Sequence, residues 1–146
     1  YNLSIDSLKA KEKIKPESWG IRLIQIEITI IYLSTFIQKI SGDDWHSGHA
    51  LYYISYLDDL FGRFPIPESW INSLTLIKFL TWFVLCFELI LPIALWLSKT
   101  RFLALCCGIV FHLCLDYTMN LFLFQWIMIL GLLTFLEEKD FKKVRK

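Results

Sequence analysis

The chain has 146 residues, 55% of them hydrophobic, with a mean hydropathy of +0.50 and a formal net charge of +1. Soluble domains run about 45–50% apolar; here the excess is gathered into blocks of Leu, Ile, Phe and Trp, with charge dense between them. A charge this close to zero argues against a nucleic-acid partner or a polyanionic substrate.

The blocks predict an all-α integral membrane helical bundle. It has about four transmembrane helices and one short amphipathic interfacial helix, and its first partner is the lipid bilayer. Residues 1–18 form a polar segment in which Lys9, Lys11, Lys13 and Lys15 precede Pro16. No basic run followed by an apolar core marks a signal peptide. The opening at Tyr1 reads as a piece of a longer protein with earlier helices upstream.

The first predicted span is 19–40. A helix of that length reaches about 33 Å, enough for a hydrocarbon core of about 30 Å. It carries Arg22, Gln25, Glu27 and Lys39, so its polar side must face other helices or a wet cavity. The connection 41–73 follows. Within it Ala50, Tyr53, Ile54, Leu57 and Phe61 recur at helical spacing opposite Asp58 and Asp59, which predicts the interfacial helix. Gly62 and the Pro65–Pro67 stretch end it.

The second span is 74–97 and contains Lys78, Glu88 and Pro92. Pro92 is expected to kink it unless neighbours satisfy the freed carbonyl. The third span is 102–115 with His112 near its far end, the polar turn 116–120 follows, and the fourth span is 121–136. The tail 137–146 ends in Lys142, Lys143, Arg145 and Lys146. Cys86, Cys106, Cys107 and Cys114 all lie in apolar runs and read as small apolar side chains in lipid or at helix contacts.

Basic and acidic connections alternate. The leading segment, the turn with Lys99 and Arg101, and the tail are basic, whereas 41–73 holds Asp43, Asp44, Asp58, Asp59 and Glu68 against Arg63. Positive-inside orientation therefore predicts a multi-pass protein of the cell membrane with both ends cytoplasmic and 41–73 outside.

Three groups of residues bear on chemistry. At about 100° per residue, Arg22, Gln25, Thr29, Tyr32, Thr35 and Lys39 fall within roughly 140° and form one polar stripe. Lys39, at the outer end, either snorkels to the interface or serves as a base at the edge of a low-dielectric region. His112 is the histidine inside a span. It reads as a helix–helix hydrogen bond or a proton donor and acceptor, with Asp116 one turn away as a partner. Glu88 lies mid-span, where a carboxylate needs a partner; by depth the candidates are Arg22 and Lys78. His46 and His49 near Asp43 and Asp44 form a poor metal signal, and no metal is expected.

The run Trp19-Gly20-Ile21-Arg22-Leu23-Ile24-Gln25, then Tyr32, Lys39-Ile40 and Trp45-x-x-Gly48-x-Ala50-Leu51, resembles the HTTM (horizontally transferred transmembrane) domain. That domain is also the membrane core of vitamin K-dependent gamma-carboxylase. Arg63-Phe64, the Glu88 to Pro92 stretch, Phe111-His112 and Phe124-Gln125-Trp126-Ile127-Met128 extend the resemblance. It covers about residues 4–136.

The resemblance implies a multi-spanning helical bundle. In the carboxylase, a lysine just before the Trp-x-x-Gly motif deprotonates reduced vitamin K, and the matching position here is Lys39. His112 matches a core histidine in the Phe-His context. The implied function is therefore a gamma-carboxylase-like lyase using vitamin K hydroquinone or another quinol. Lys39 and His112 would be its catalytic residues, with Tyr32 and Gln25 on the cofactor. The family's Asn-His stretch is expected on an earlier helix, before this segment starts, and the basic tail is read as standing where the carboxylase's large lumenal domain would follow. Other short members resemble membrane factors that mature secreted peptides. The alternative is thus a non-catalytic membrane maturation or scaffold factor with a secreted peptide or protein as client. A transporter is a third reading, against which stands the lack of an inverted repeat.

Overall fold

Long apolar runs build the three longest helices of the structure, a computed structural model that describes residues 19–57, 64, 67–121, 123–137 and 140. Helix α1 is Trp19–Ile40, α2 is Asp43–His46, α3 is Ala50–Ile54, α4 is Glu68–Ile71, α5 is Leu74–Trp96, α6 is Arg101–Thr118 and α7 is Phe124–Leu133. The lysine-rich leading segment, Asp58, Asp59, Phe61, Gly62, Arg63, Pro65 and the four basic tail residues lie outside the described residues.

Helices α1, α5 and α6 are long and apolar enough to cross a membrane. Helix α7 has 10 residues and reaches only about 15 Å, half a hydrocarbon core. The fourth predicted span is thus a short helix entered through a non-helical stretch. Helix α6 is longer than its predicted span and takes in Arg101, Asp116 and Tyr117. The predicted interfacial helix is the five-residue α3, packed on α5. Helix α5 runs unbroken through Pro92, which is buried.

The outward faces explain the solvent. Ile21, Leu23, Ile30 and Ile37 of α1, Phe79 and Ile93 of α5, Leu103 and Val110 of α6, and Ile127 and Leu130 of α7 are all exposed. An apolar surface this continuous is untenable in water and is what lipid-facing helices present. All four cysteines are exposed on these helices, in keeping with the lipid reading.

Inside, Ile28, Tyr32, Leu91, Leu95, Leu105 and Leu132 form the centre of one core drawn from α1, α5, α6 and α7. Small residues let the backbones approach, as membrane packing requires. A Cβ at Gly108 would stand 2.9 Å from Leu132 Cδ1 and 3.3 Å from Leu91 Cδ2, so α6 meets α5 and α7 there. Gly108→Leu is expected to destabilise the bundle by about 1–3 kcal/mol through overpacking, read as a lowered unfolding midpoint in detergent. An unchanged midpoint would show that α6 does not pack that closely. Gly48 has φ of 77° and lies under Lys78 and Trp82, which pins the turn between α2 and α3 against α5.

The helices are staggered, not flush. Trp96 Nε1, at the end of α5, donates to Thr29 Oγ1 at 2.9 Å, and Gln25 Nε2 donates to the Thr134 carbonyl at 2.7 Å. The far end of α1 therefore reaches only the middle of α5. The first half of α5 rises past it and is flanked instead by the α2–α3 segment, with the Leu51 amide donating to Thr81 Oγ1 at 3.4 Å. Arg101 at the start of α6 pairs with Glu137 beyond α7. The start of α1, the α5–α6 turn and the segment after α7 thus share one end of the bundle.

Candidate functional site

Four helices deliver one polar group each, or two, into the apolar core. Helix α1 contributes Tyr32 and Lys39, seven residues apart on one face. Helix α5 contributes Glu88, α6 contributes His112 and α7 contributes Gln125. Each is held by regular backbone, so the group is positioned by helix packing and not by loops.

The stagger makes the first contact. Lys39 Nζ forms a salt bridge with Glu88 Oε1. Its ammonium also sits 4.9 Å from the centre of the Trp45 ring, a cation–π contact. The partner predicted for Glu88 by depth was Arg22 or Lys78, and the structure corrects this to Lys39. Depth counted from the helix ends failed because α1 ends level with the middle of α5. Lys78 instead packs its stem beside Gly48, and Arg22 stands at the opposite end of α1, 5.8 Å from the Trp96 ring.

The second contact is a chain of three. Tyr32 Oη lies 2.5 Å from His112 Nε2, and His112 Nδ1 lies 2.6 Å from Gln125 Oε1. Tyr32 is 3% exposed, His112 2% and Gln125 0%. Both ring nitrogens of His112 are therefore engaged across helices, and the predicted pairing with Asp116 is replaced by these two bonds. Tyr32 and Lys39 are seven residues, about two turns, apart on α1, so the two sets follow one another along the bundle.

Two buried atoms in these sets have no hydrogen-bond partner among the described residues: Glu88 Oε2 and Gln125 Nε2. Buried polar atoms are nearly always paired. These two are one acceptor on α5 and one donor on α7 whose hydrogen-bonding capacity is unused among the described residues. A hydroxyl or a ring carbonyl supplies what they lack, so the residues present are compatible with a quinol-type molecule.

Of the predicted residues, Tyr32 and His112 meet directly, whereas Lys39, two turns further along α1, pairs with Glu88. Gln25 does not join them: it accepts from Arg22 Nη1 at 3.1 Å and donates to Thr134, two turns below Tyr32. Its bonds tie α1 to the end of α7. Gln125 was missed as a site residue, although an amide inside the most apolar helix of the chain was itself a signal. His46 meets Trp82 edge-on at 6.4 Å, and His49 Nδ1 lies 3.0 Å from Ser47 Oγ. Among the described residues, no cluster of three or more His, Cys, Asp or Glu could hold a metal.

A family model described as the HTTM domain matches residues 1–139. The chain is 32% identical over 122 residues to the sporulation-delaying protein SdpB of Bacillus subtilis (strain 168), a match covering 78% of this chain and 36% of that protein. The chain thus spans little more than a third of the length of this curated relative. No solved structure matches it.

Proposed function

We propose, from the premise that this chain belongs to the HTTM domain family, that its buried polar cluster is an acid–base site for a weakly acidic hydroxyl. The enzyme would be gamma-carboxylase-like and the hydroxyl that of a quinol. The observation that supports the reading is the Lys39–Glu88 pair standing beside the Tyr32–His112–Gln125 chain, with one acceptor and one donor left open. Ionisable groups in hydrocarbon are costly, and their retention is by default a functional mark.

When bound, a quinol supplies the acidic hydroxyl. The chain's own residues do the rest. Lys39 and Glu88 share a proton across their contact, and passing it to the carboxylate leaves a free amine able to accept another. Trp45 holds the Lys39 side chain against the end of α1. Tyr32 and His112 orient the hydroxyl from the far side, and the surrounding Leu91, Leu105 and Met128 keep water out.

The proposal extends to position. The bundle would sit in the cell membrane with the turn 97–101 and both chain ends cytoplasmic. Lys99 and Arg101 in that turn support this, as do Asp43 and Asp44 at the opposite end.

The test uses the complete protein in liposomes supplied with reduced vitamin K or menaquinol and with dioxygen as the oxidant. Consumption of the quinol is expected, with loss of at least 100-fold on replacing Lys39 and Glu88 together by Met and Leu. Quinol consumption equal in the variant would remove the pair from the mechanism.

A second reading is a non-catalytic maturation or scaffold factor for a secreted peptide. The likeness to a sporulation-delaying protein favours it. In that case the complete protein consumes no quinol and co-purifies with a small secreted partner, and the paired variant still captures it.

A further inference from the structure

We infer that Gln125 is a positioning residue that locks His112 in one tautomer, giving the Tyr32–His112–Gln125 chain a fixed direction. The inference concerns the polarity of three buried contacts and stands apart from any reaction.

The argument is a count of open groups. Tyr32, His112 and Gln125 meet in series at 2.5 and 2.6 Å, each at least 97% buried. Water does not reach them, so every proton must be assigned inside the chain. A neutral imidazole donates from one nitrogen and accepts at the other. Two directions are available.

In the first, the Tyr32 hydroxyl donates to Nε2, and Nδ1–H donates to Gln125 Oε1. Tyr32 is then satisfied, both ring nitrogens are satisfied, and within this chain of three only Gln125 Nε2 stays open. In the second, the Gln125 amide is turned, its nitrogen donates to Nδ1, and Nε2–H donates to Tyr32 Oη. The Tyr32 proton then needs another acceptor, and among the described residues the hydroxyl's hydrogen-bond partner is His112. Gln125 Oε1 is stranded as well. The first direction leaves one kind of atom open and the second leaves two, each a full desolvation loss. The geometry selects the first.

The consequence is directional. Gln125 accepts from Nδ1–H and so keeps the Nε2 lone pair turned to α1. Tyr32 spends its proton on His112, leaving its oxygen as an acceptor toward the Glu88 side. If His112 takes the Tyr32 proton outright, the resulting imidazolium still has Nδ1–H held by Gln125. The amide therefore steadies both states of the ring. A hydrophobic side chain of similar size would fill the same space and hold neither.

The test is nitrogen-15 NMR of the complete protein, in nanodiscs, with labelled histidine. The His112 signals are identified by their loss in His112→Gln. The expected spectrum has a protonated Nδ1 and an unprotonated Nε2. A protonated Nε2 with a bare Nδ1 overturns the inference directly, and this wild-type measurement needs no variant to fold. Gln125→Leu is expected to lose the single tautomer and give a mixture. An unchanged Nδ1–H signal in Gln125→Leu would likewise overturn the role of Gln125. Quinol consumption does not enter this readout, so the acid–base reading can fail while the tautomer stands, and the reverse.

Discussion

Replacing Lys39 by Met is expected to destabilise the bundle by about 3–5 kcal/mol, and adding Glu88→Leu to recover most of that loss. Glu88 is 6% exposed and pairs with Lys39. Without the ammonium a carboxylate remains in a low-dielectric interior with neither water nor a counter-charge, which is the expensive outcome. Removing both charges leaves methionine against leucine, ordinary core material. The single change Glu88→Leu should cost less than Lys39→Met. The Lys39 side chain is 26% exposed, so a stranded ammonium can swing toward the interface while a stranded carboxylate on α5 cannot. Denaturant unfolding of the complete protein in detergent across the four-member cycle measures the coupling. Strictly additive losses would mean that the two side chains do not interact. The paired variant also separates fold from chemistry, since it should keep the bundle and still lose quinol turnover.

Arg101→Met should have an effect of similar size, about 3–5 kcal/mol, but at the other end of the bundle. Arg101 is 8% exposed, donates from Nε to the Leu95 carbonyl at 3.2 Å, pairs with Glu137 and lies 4.0 Å from Asp140 Oδ2. Asp140 is 1% exposed. Methionine fills much of the guanidinium's volume, so the loss is charge and hydrogen bonding and not a cavity. The segment after α7 should then open locally, seen as faster amide hydrogen exchange over 134–140 with exchange around Tyr32 unchanged. Arg101→Lys should recover only part, because one ammonium cannot reach the carbonyl and both carboxylates at once. Exchange over 134–140 equal to the wild type would show that Arg101 does not fasten that segment.

The fold was largely legible in the residues. Apolar runs of spanning length gave α1, α5 and α6, and Lys39, Tyr32 and His112 were recognisable because polar groups within such runs are conspicuous. What escaped reading was relative height. Glu88 looked as if it should meet Arg22 or Lys78 because depth was counted from each helix end, as though the ends were level. The stripe on α1 looked like one site, but its members divide. Gln25 serves the end of the bundle near Arg101, with Thr134, and Tyr32 and Lys39 lie further along α1. Gln125 sat in a quoted motif without a role, since nothing in a local window says which helix an amide will face.

Alone, the order of amino acids determined the solvent, the class of fold and the short list of groups able to do chemistry. These depend on each residue's own transfer free energy and on helical periodicity, both of which are local. Only the tertiary structure decided that α1 stops level with the middle of α5, that Lys39 therefore meets Glu88, and that His112 is held between Tyr32 and Gln125. Those pairings follow from how four helices slide until their small residues, Gly131 against Ile28 and Gly108 against Leu132, let the backbones close. Sliding is set by contacts between residues far apart in the chain, and no stretch of sequence contains both sides of such a contact.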